Sequence, residues 1–278
     1  MIAAVDTTAP DRVSGRSGID HRRRRRARRR RQSKVWLLRL AVVGLPVGSW
    51  AVLTTSGAWD ERLFASPSLI YGDLYEWLGG YIYPHITQTL YEVFVGFALG
   101  AAAGALVGLL LALVDPLYRV VSPLIVIGNG IPRVILAPIF ALWLGFGVES
   151  KIALVAVMVF FPNFFNVFEG VKSVDKTFVD SGRCLGGSTA QIVRHVYVPS
   201  MVIWMLASLR LSIGFAFLAA IVGEYIGSTE GLGFVIAQAQ QSGTIDQVFS
   251  GILVLMVLVL PIDFVLTRLD RRIERWRS

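Results

Sequence analysis

Six stretches of almost uncharged sequence, separated by short polar segments, set the pattern of this chain. They run about 35–56, 86–114, 120–146, 151–168, 199–223 and 247–267. Each is near or above the ~20 residues that a helix rising ~1.5 Å per residue needs to cross hydrocarbon. The pattern predicts an all-α polytopic membrane protein of about six transmembrane helices. The first stretch, from Val35 through Trp50 to Thr55, exceeds the apolar core of a signal peptide and is expected to stay uncleaved. In the second, Gly96, Gly100, Gly104 and Gly108 stand four apart on one helical face, which lets another helix approach closely. The third is interrupted by Pro123, Pro132 and Pro138.

The polar segments orient these spans. Residues 1–33 are polar and end in the arginine tract Arg22–Arg31. They cannot bury enough apolar surface to offset chain entropy, and are expected to form a disordered cytoplasmic tail against anionic lipid. No aromatic residues interleave the arginines, which argues against a nucleic-acid arm. Six spans return the C-terminus, with Arg268, Arg271, Arg272, Arg275 and Arg277, to the same side. The loop carrying Lys172, Lys176, Arg183, Arg194 and His195 falls there too. The opposite segments hold only Arg62 among basic residues, beside acids such as Asp60, Glu76, Glu149 and Glu230. Basic loops stay inside, so both termini are expected in the cytoplasm of a bacterial cell, and the protein in its plasma (inner) membrane.

Composition agrees with this: 54% hydrophobic and 17% charged residues, mean hydropathy +0.61, against about a quarter charged in soluble domains. The net charge of +8 is uneven, nearly half of the Lys and Arg lying before residue 40. One cysteine, Cys184, excludes an intrachain disulfide, and three scattered histidines (His21, His85, His195) lack metal-ligand spacing. A G-x-x-x-x-G-K-[ST] phosphate loop needs lysine after glycine. Lys34, Lys151, Lys172 and Lys176 all fail that test, so ATP-driven work must come from a partner.

The segment Lys172–Pro199 carries the functional argument. It reads as two short helices around a sharp turn, about residues 172–198, before the fifth span. Thr177 with Asp180, and Ser188 with Gln191, have the spacing of capping boxes. Gly186 and Gly187 end the first helix, and Pro199 suits the start of the span. Phe178, Val179, Cys184 and Leu185 give the first helix an apolar side. Such a hairpin wants a protein partner, although an ordinary amphipathic surface loop has similar features.

The spacing Asp180-Ser181-Gly182, three residues, Gly186, nine residues, Val196-x-Val198-Pro199 resembles the signature loop of permease subunits of binding-protein-dependent ABC importers, E-A-A-x₃-G-x₉-I-x-L-P. Asp replaces Glu here, and Ser-Gly replaces Ala-Ala. Ile131-Pro-Arg-Val-Ile-Leu-Ala-Pro138, Leu144-Gly-Phe-Gly147, Phe160-Phe-Pro-Asn-Phe164, Leu209-Arg-Leu211 and Gly231-Leu-Gly-Phe234 are similar to the nitrate/sulfonate/taurine branch. The resemblance covers about residues 60–275 and implies a type I ABC importer permease fold, within a permease domain over residues 34–278. It implies a homodimer, two ATPase subunits binding ATP and Mg, an external solute-binding protein, and no enzymatic activity or cofactor in this chain. It implies that Asp180, Ser181, Gly182, Gly186, Val196, Val198 and Pro199 belong to cytoplasmic coupling helices seated on the ATPase.

Charges inside spans bear on mechanism. Arg133, between Pro132 and Pro138, is expected near mid-membrane, either lining the translocation path toward an anion or tying freed carbonyls. Arg210 lies deep in the fifth span and is expected to pair with an acid or tune the path. Asn129 and Asn163 line the path or bond between helices. Glu92 and Glu224, near span ends, are expected at the interface. The alternative function is an ion-gradient-driven secondary transporter, which usually places acids at mid-membrane. A membrane-embedded enzyme would need converging nucleophile, base or metal ligands, and the sequence offers none.

Overall fold

The computed structural model describes residues 35, 38, 41, 42 and 44–274. The arginine tract and the last four residues lie outside the described residues, as does part of the first expected span. Contacts divide the chain into two units, at Glu61 and Arg62. In the first, every described position from 44 to 55 is helical.

Among its described residues, the second unit is built of helices joined by short turns. Ser66, in an extended conformation, and Pro67 start α1, Pro67–Trp77, because proline's fixed φ suits a first turn and its missing N–H costs nothing there. Helix α2, Ile82–Leu113, has 32 residues and is about 48 Å long. Helix α3, Asp115–Gly130, and α4, Leu136–Leu144, flank a 3₁₀ turn at Arg133–Ile135. Then come α5, Val148–Lys172, and the short α6, Lys176–Cys184. Helix α7 spans Thr189–Ile226 with a π segment at Val193–Tyr197, followed by α8, Leu232–Ser242, and α9, Ile245–Glu274.

Among the described residues, α2, α5, α7 and the 245–265 part of α9 are each long and apolar enough to cross a membrane. The third expected span differs from a single bent helix. It is a broken pair, α3 and α4, meeting at 78°. Proline disfavours helical geometry in the residue before it, and Ile131, ahead of Pro132, is extended at φ −76°, ψ 128°. The chain therefore leaves the helix for two residues rather than merely kinking.

Helices α2, α5 and α7 form the centre of the unit. The four glycines of α2 lie against successive turns of α5, where an added Cβ would strike the carbonyl oxygens of Ile152, Ala156, Phe160 and Phe164 in turn. Two parallel helices thus meet backbone to backbone. Buried positions keep the same spacing on α5 itself, at Val155, Val159, Asn163, Val167 and Val171, and on α7, at Ser208, Ser212, Ala216 and Ala220. Small residues at four-residue intervals substitute for a driving force that lipid does not supply. Around this centre, Leu154, Met158, Ile213 and Phe217 fill one core. Phe164 and Phe168 head a second, where Tyr118 stacks on Phe168 at 4.4 Å between centroids. Trp77, Ile82, Leu232 and Val235 form a third.

Candidate functional site

The hairpin between α5 and α7 is built by local rules. The Asp175 side chain accepts from the Thr177 N–H at 2.8 Å and caps α6. The expected cap from Thr177 to Asp180 does not form, because the helix begins at Lys176 and its first free N–H groups face Asp175. The Thr177 backbone N–H, and then its hydroxyl, hold the Asp175 carboxyl below the ordinary aspartate range. Val179 is buried beneath the helix. Gly186, at φ +79°, turns the chain, and the Gly187 N–H donates to Gly182 O at 2.9 Å. Ser188 and Gln191 then form the expected reciprocal capping box.

Pro199 stands in the first turn of the regular α segment Val198–Ile226, as expected, and the short α and π segments before it make α7 continuous from Thr189. Proline offers no N–H and its ring crowds the carbonyl four residues back. The helix accommodates this by widening just upstream, where Val198 N–H reaches Val193 O in a π-type bond. Val196 and Val198, half-buried, stand on that widened turn. At the other end of the hairpin, Gly182 lies close to Ile192, whose Cγ1 would sit 3.5 Å from a Cβ there. Asp180 and Ser181 are exposed, and Asp180 lies 3.9 Å from Arg183. Two large apolar side chains project from the hairpin, Phe178 at 66% and Leu185 at 88% exposure. Beside Leu185 is a shallow hollow of about 360 Å³ lined by Gly182, Gly186, Gly187 and Ile192. The base of the hairpin is fixed by Ser200 donating to Gly170 O at 3.1 Å, and by an ion pair between Lys172 and Asp115.

At the α3–α4 break, the Arg133 guanidinium lies over the Phe161 ring of α5, 4.4 Å from its centroid. Phe161 also fills the space beside Gly128. Pro132 and Pro138 are exposed, and so is Arg210 on α7. The Asn129 side chain lies outside the described residues. Asn163 bonds between helices: Ser208 Oγ donates to its Oδ1 at 2.6 Å, and its Nδ2 donates to Ser212 Oγ at 3.1 Å. The hairpin residues thus gather at one end of the bundle, while Arg133, Arg210 and Asn163 are distributed along it.

The sequence profile of the family described as binding-protein-dependent transport system inner membrane component matches residues 100–275. The chain belongs to that family. The permease is 30% identical over 244 residues to a Bacillus subtilis (strain 168) permease, SsuC, named for aliphatic sulfonates transport, covering 87% of this chain and 88% of the relative. It is 31% identical over 196 residues to the formylaminopyrimidine transport permease protein ThiX of Halalkalibacterium halodurans (strain ATCC BAA-125 / DSM 18197 / FERM 7344 / JCM 9153 / C-125), covering 70% and 78%. A solved inward-facing structure of the MetNI methionine ABC transporter shares its fold, with a TM-score of 0.60 at 24% identity, over 68% of this chain and 94% of that one. The fold is that of a type I ABC importer permease.

The permease also contains charged residues that the sequence reading misplaced. Glu92 and Glu224 are not interfacial: they are 0% and 1% exposed, and Lys151 is 2% exposed. Each ends a buried stripe already described. Glu92 sits one turn before Gly96, Glu224 one turn after Ala220, and Lys151 one turn before Val155. Counting in fours along each helix would have found them; distance from the span ends concealed them.

Proposed function

We propose that this permease is the membrane-crossing subunit of an ATP-driven importer for a small polar or anionic nutrient, with sulfonates as the favoured class. Two copies form the translocation path, an external binding protein delivers the solute, and a separate ATPase binds ATP and Mg. The permease lies in the plasma (inner) membrane with both termini and the α6–α7 hairpin on the cytoplasmic side. The single observation supporting the coupling role is the hairpin itself, which presents Phe178 and Leu185 to solvent from a frame fixed by Asp175, Gly186 and the Ser188–Gln191 box. In this reading Asp180, Ser181, Gly182, Gly186, Val196, Val198 and Pro199 make up the surface seated on the ATPase. Coupling requires that the surface bind the two nucleotide states of the ATPase with different affinity.

The sulfonate preference rests on similarity to SsuC along most of both chains and on the two arginines. Arg133 at the helix break and Arg210 on the exposed side of α7 contribute positive potential along a path for an anion. Taurine, itself a sulfonate, and nitrate, an inorganic oxyanion, are the other solutes of this reading.

The native thiol makes the hairpin testable, because Cys184 is the chain's one cysteine and is exposed. In intact cells a membrane-permeant maleimide is expected to label it and an impermeant one to fail. In membranes, adding the ATPase is expected to slow labelling, and Gly186→Val to uncouple ATP hydrolysis from uptake. Labelling indifferent to the ATPase, together with normal uptake by Gly186→Val, defeats the coupling assignment. Uptake that survives collapse of the proton gradient while ATP persists supports the energy source.

A further inference from the structure

Three charged side chains that the transport reading does not use meet at the end of the bundle opposite the hairpin. Glu92 of α2, Lys151 of α5 and Glu224 of α7 are all within 2% of complete burial. The Lys151 Nζ donates to the carbonyls of Phe146, Gly147 (3.0 Å) and Gly227 (2.7 Å). Three carbonyl acceptors and near-complete burial make it a buried ammonium. It feels both glutamates, with Glu149 also on its own helix. The Glu92 and Glu224 carboxyls are within hydrogen-bonding reach of each other. Gln88 donates to Glu92 Oε1 at 2.9 Å, whereas Glu92 Oε2 is buried with no protein hydrogen-bond partner.

Two ionised carboxylates and one ammonium would leave a net negative charge at a buried site, which is strongly unfavourable. One proton resolves both difficulties. It gives Glu92 Oε2 a hydrogen to direct at Glu224 and brings the group of three to neutrality, as in other carboxyl pairs that cannot both ionise.

We propose that Glu92 and Glu224 hold one proton between them, and that this pair with Lys151 is a latch fastening the Gly227–Gly233 turn to α2, α5 and α7. The turn's backbone is held at successive points. Lys151 takes Gly227 O; His85 Nδ1 accepts from Gly231 N–H at 3.2 Å; Thr89 Oγ1 accepts from Leu232 N–H at 2.9 Å. Glu224 accepts from Gly233 N–H at 2.6 Å and from the Thr89 hydroxyl at 2.7 Å. These amides are the first of α8, so a carboxylate from another helix caps its start, where the helix dipole favours negative charge. The arrangement also accounts for Gly231-Leu-Gly233: a Cβ on Gly233 would lie 2.8 Å from Glu224 Cβ, and one on Gly231 would strike the carboxyl. Outside the triad, the charged groups facing the cluster are Glu149 on α5 and Glu230, which neighbours His85. Raising the pH until the shared proton is lost leaves two negative charges against one positive, and the latch opens.

The test is infrared spectroscopy of the assembled transporter in lipid at pH 7, as difference spectra against Glu92→Gln and Glu224→Gln. The wild type is expected to show a protonated-carboxyl C=O stretch that both variants lack, because each leaves one carboxylate balanced by Lys151. Lys151→Met removes the balancing charge, and the band is expected to grow about twofold as both acids become neutral. Amide exchange at Gly231–Gly233 is expected to stay slow in Glu92→Gln, where an amide can donate the same bond, and to become fast in Glu224→Ala. Identical spectra for wild type and Glu92→Gln overturn the shared proton even if Lys151→Met fails to fold. Unchanged exchange in Glu224→Ala overturns the latch. Neither measurement depends on the solute or on the coupling role of the hairpin.

Discussion

Replacing Gly104 with alanine tests whether α2 and α5 touch through their backbones. A Cβ at this position would lie 2.5 Å from Phe160 O and 3.0 Å from both Asn163 Cβ and Phe164 N. Ordinary van der Waals contact begins near 3.4 Å, so the carbonyl contact falls short by about 0.9 Å. Most of the atoms in the way are backbone and cannot rotate aside. Overpacking a close-packed site costs about 1–3 kcal/mol. Against it stands the roughly 1 kcal/mol that alanine gains over glycine inside a helix. The net is a destabilisation of about 1 kcal/mol, or about 2–4 °C in Tm for a chain of this size. Gly72→Ala in α1 is the control, because nothing lies within 4 Å of a Cβ there. It gains the propensity without the clash and is expected to move Tm up by a similar amount. Thermal unfolding of the purified permease in detergent measures both. If Gly104→Ala melts at or above the wild type while Gly72→Ala behaves as expected, the helices do not approach as closely as described.

Two further outcomes follow from the polar contacts. Asn163→Leu keeps the number and branching of side-chain heavy atoms but removes the bonds to Ser208 and Ser212, and interhelical bonds of this kind contribute about 0.6–1.7 kcal/mol in a membrane. A comparable loss of stability is expected by thermal unfolding, and a double-mutant cycle with Ser208→Ala should show the two losses are not additive. At the hairpin, the Asp175 carboxyl is held below its ordinary value by Thr177. Its contribution to α6 is fully present above the unfolded-state value and is lost as pH falls through the lower, folded-state value. Amide exchange across α6 is expected to quicken over that acidic range in the wild type and to lose this pH dependence in Asp175→Asn.

Much of this was legible because it is written in spacing. Glycines four apart can serve only a close helix contact, and the Ser188–Gln191 pair has one geometry available to it. What escaped depends on neighbours that spacing along one helix does not name. Asp175-Lys-Thr177 and Thr177-x-x-Asp180 both present a plausible cap, and where the chain leaves α5 selects between them. Pro132 and Pro138 announced a disturbance, but a kink and a 78° break begin alike in sequence. Glu92 and Glu224 were misread because burial was judged from depth along the span rather than from the face they share with Gly96 and Ala220. Their balance with Lys151 involves residues 59 and 73 positions distant along the chain, as numbering gives directly.

The four glycines facing four carbonyls act as teeth. Sliding α2 along α5 by one residue, about 1.5 Å, would carry a tooth off its carbonyl and drive bulkier neighbours into it. The next register that fits lies a whole four-residue notch away, about 6 Å. The pair therefore travels as one shaft, and any stroke that reopens the path on the other side of the membrane must be taken up where the chain is not geared in this way.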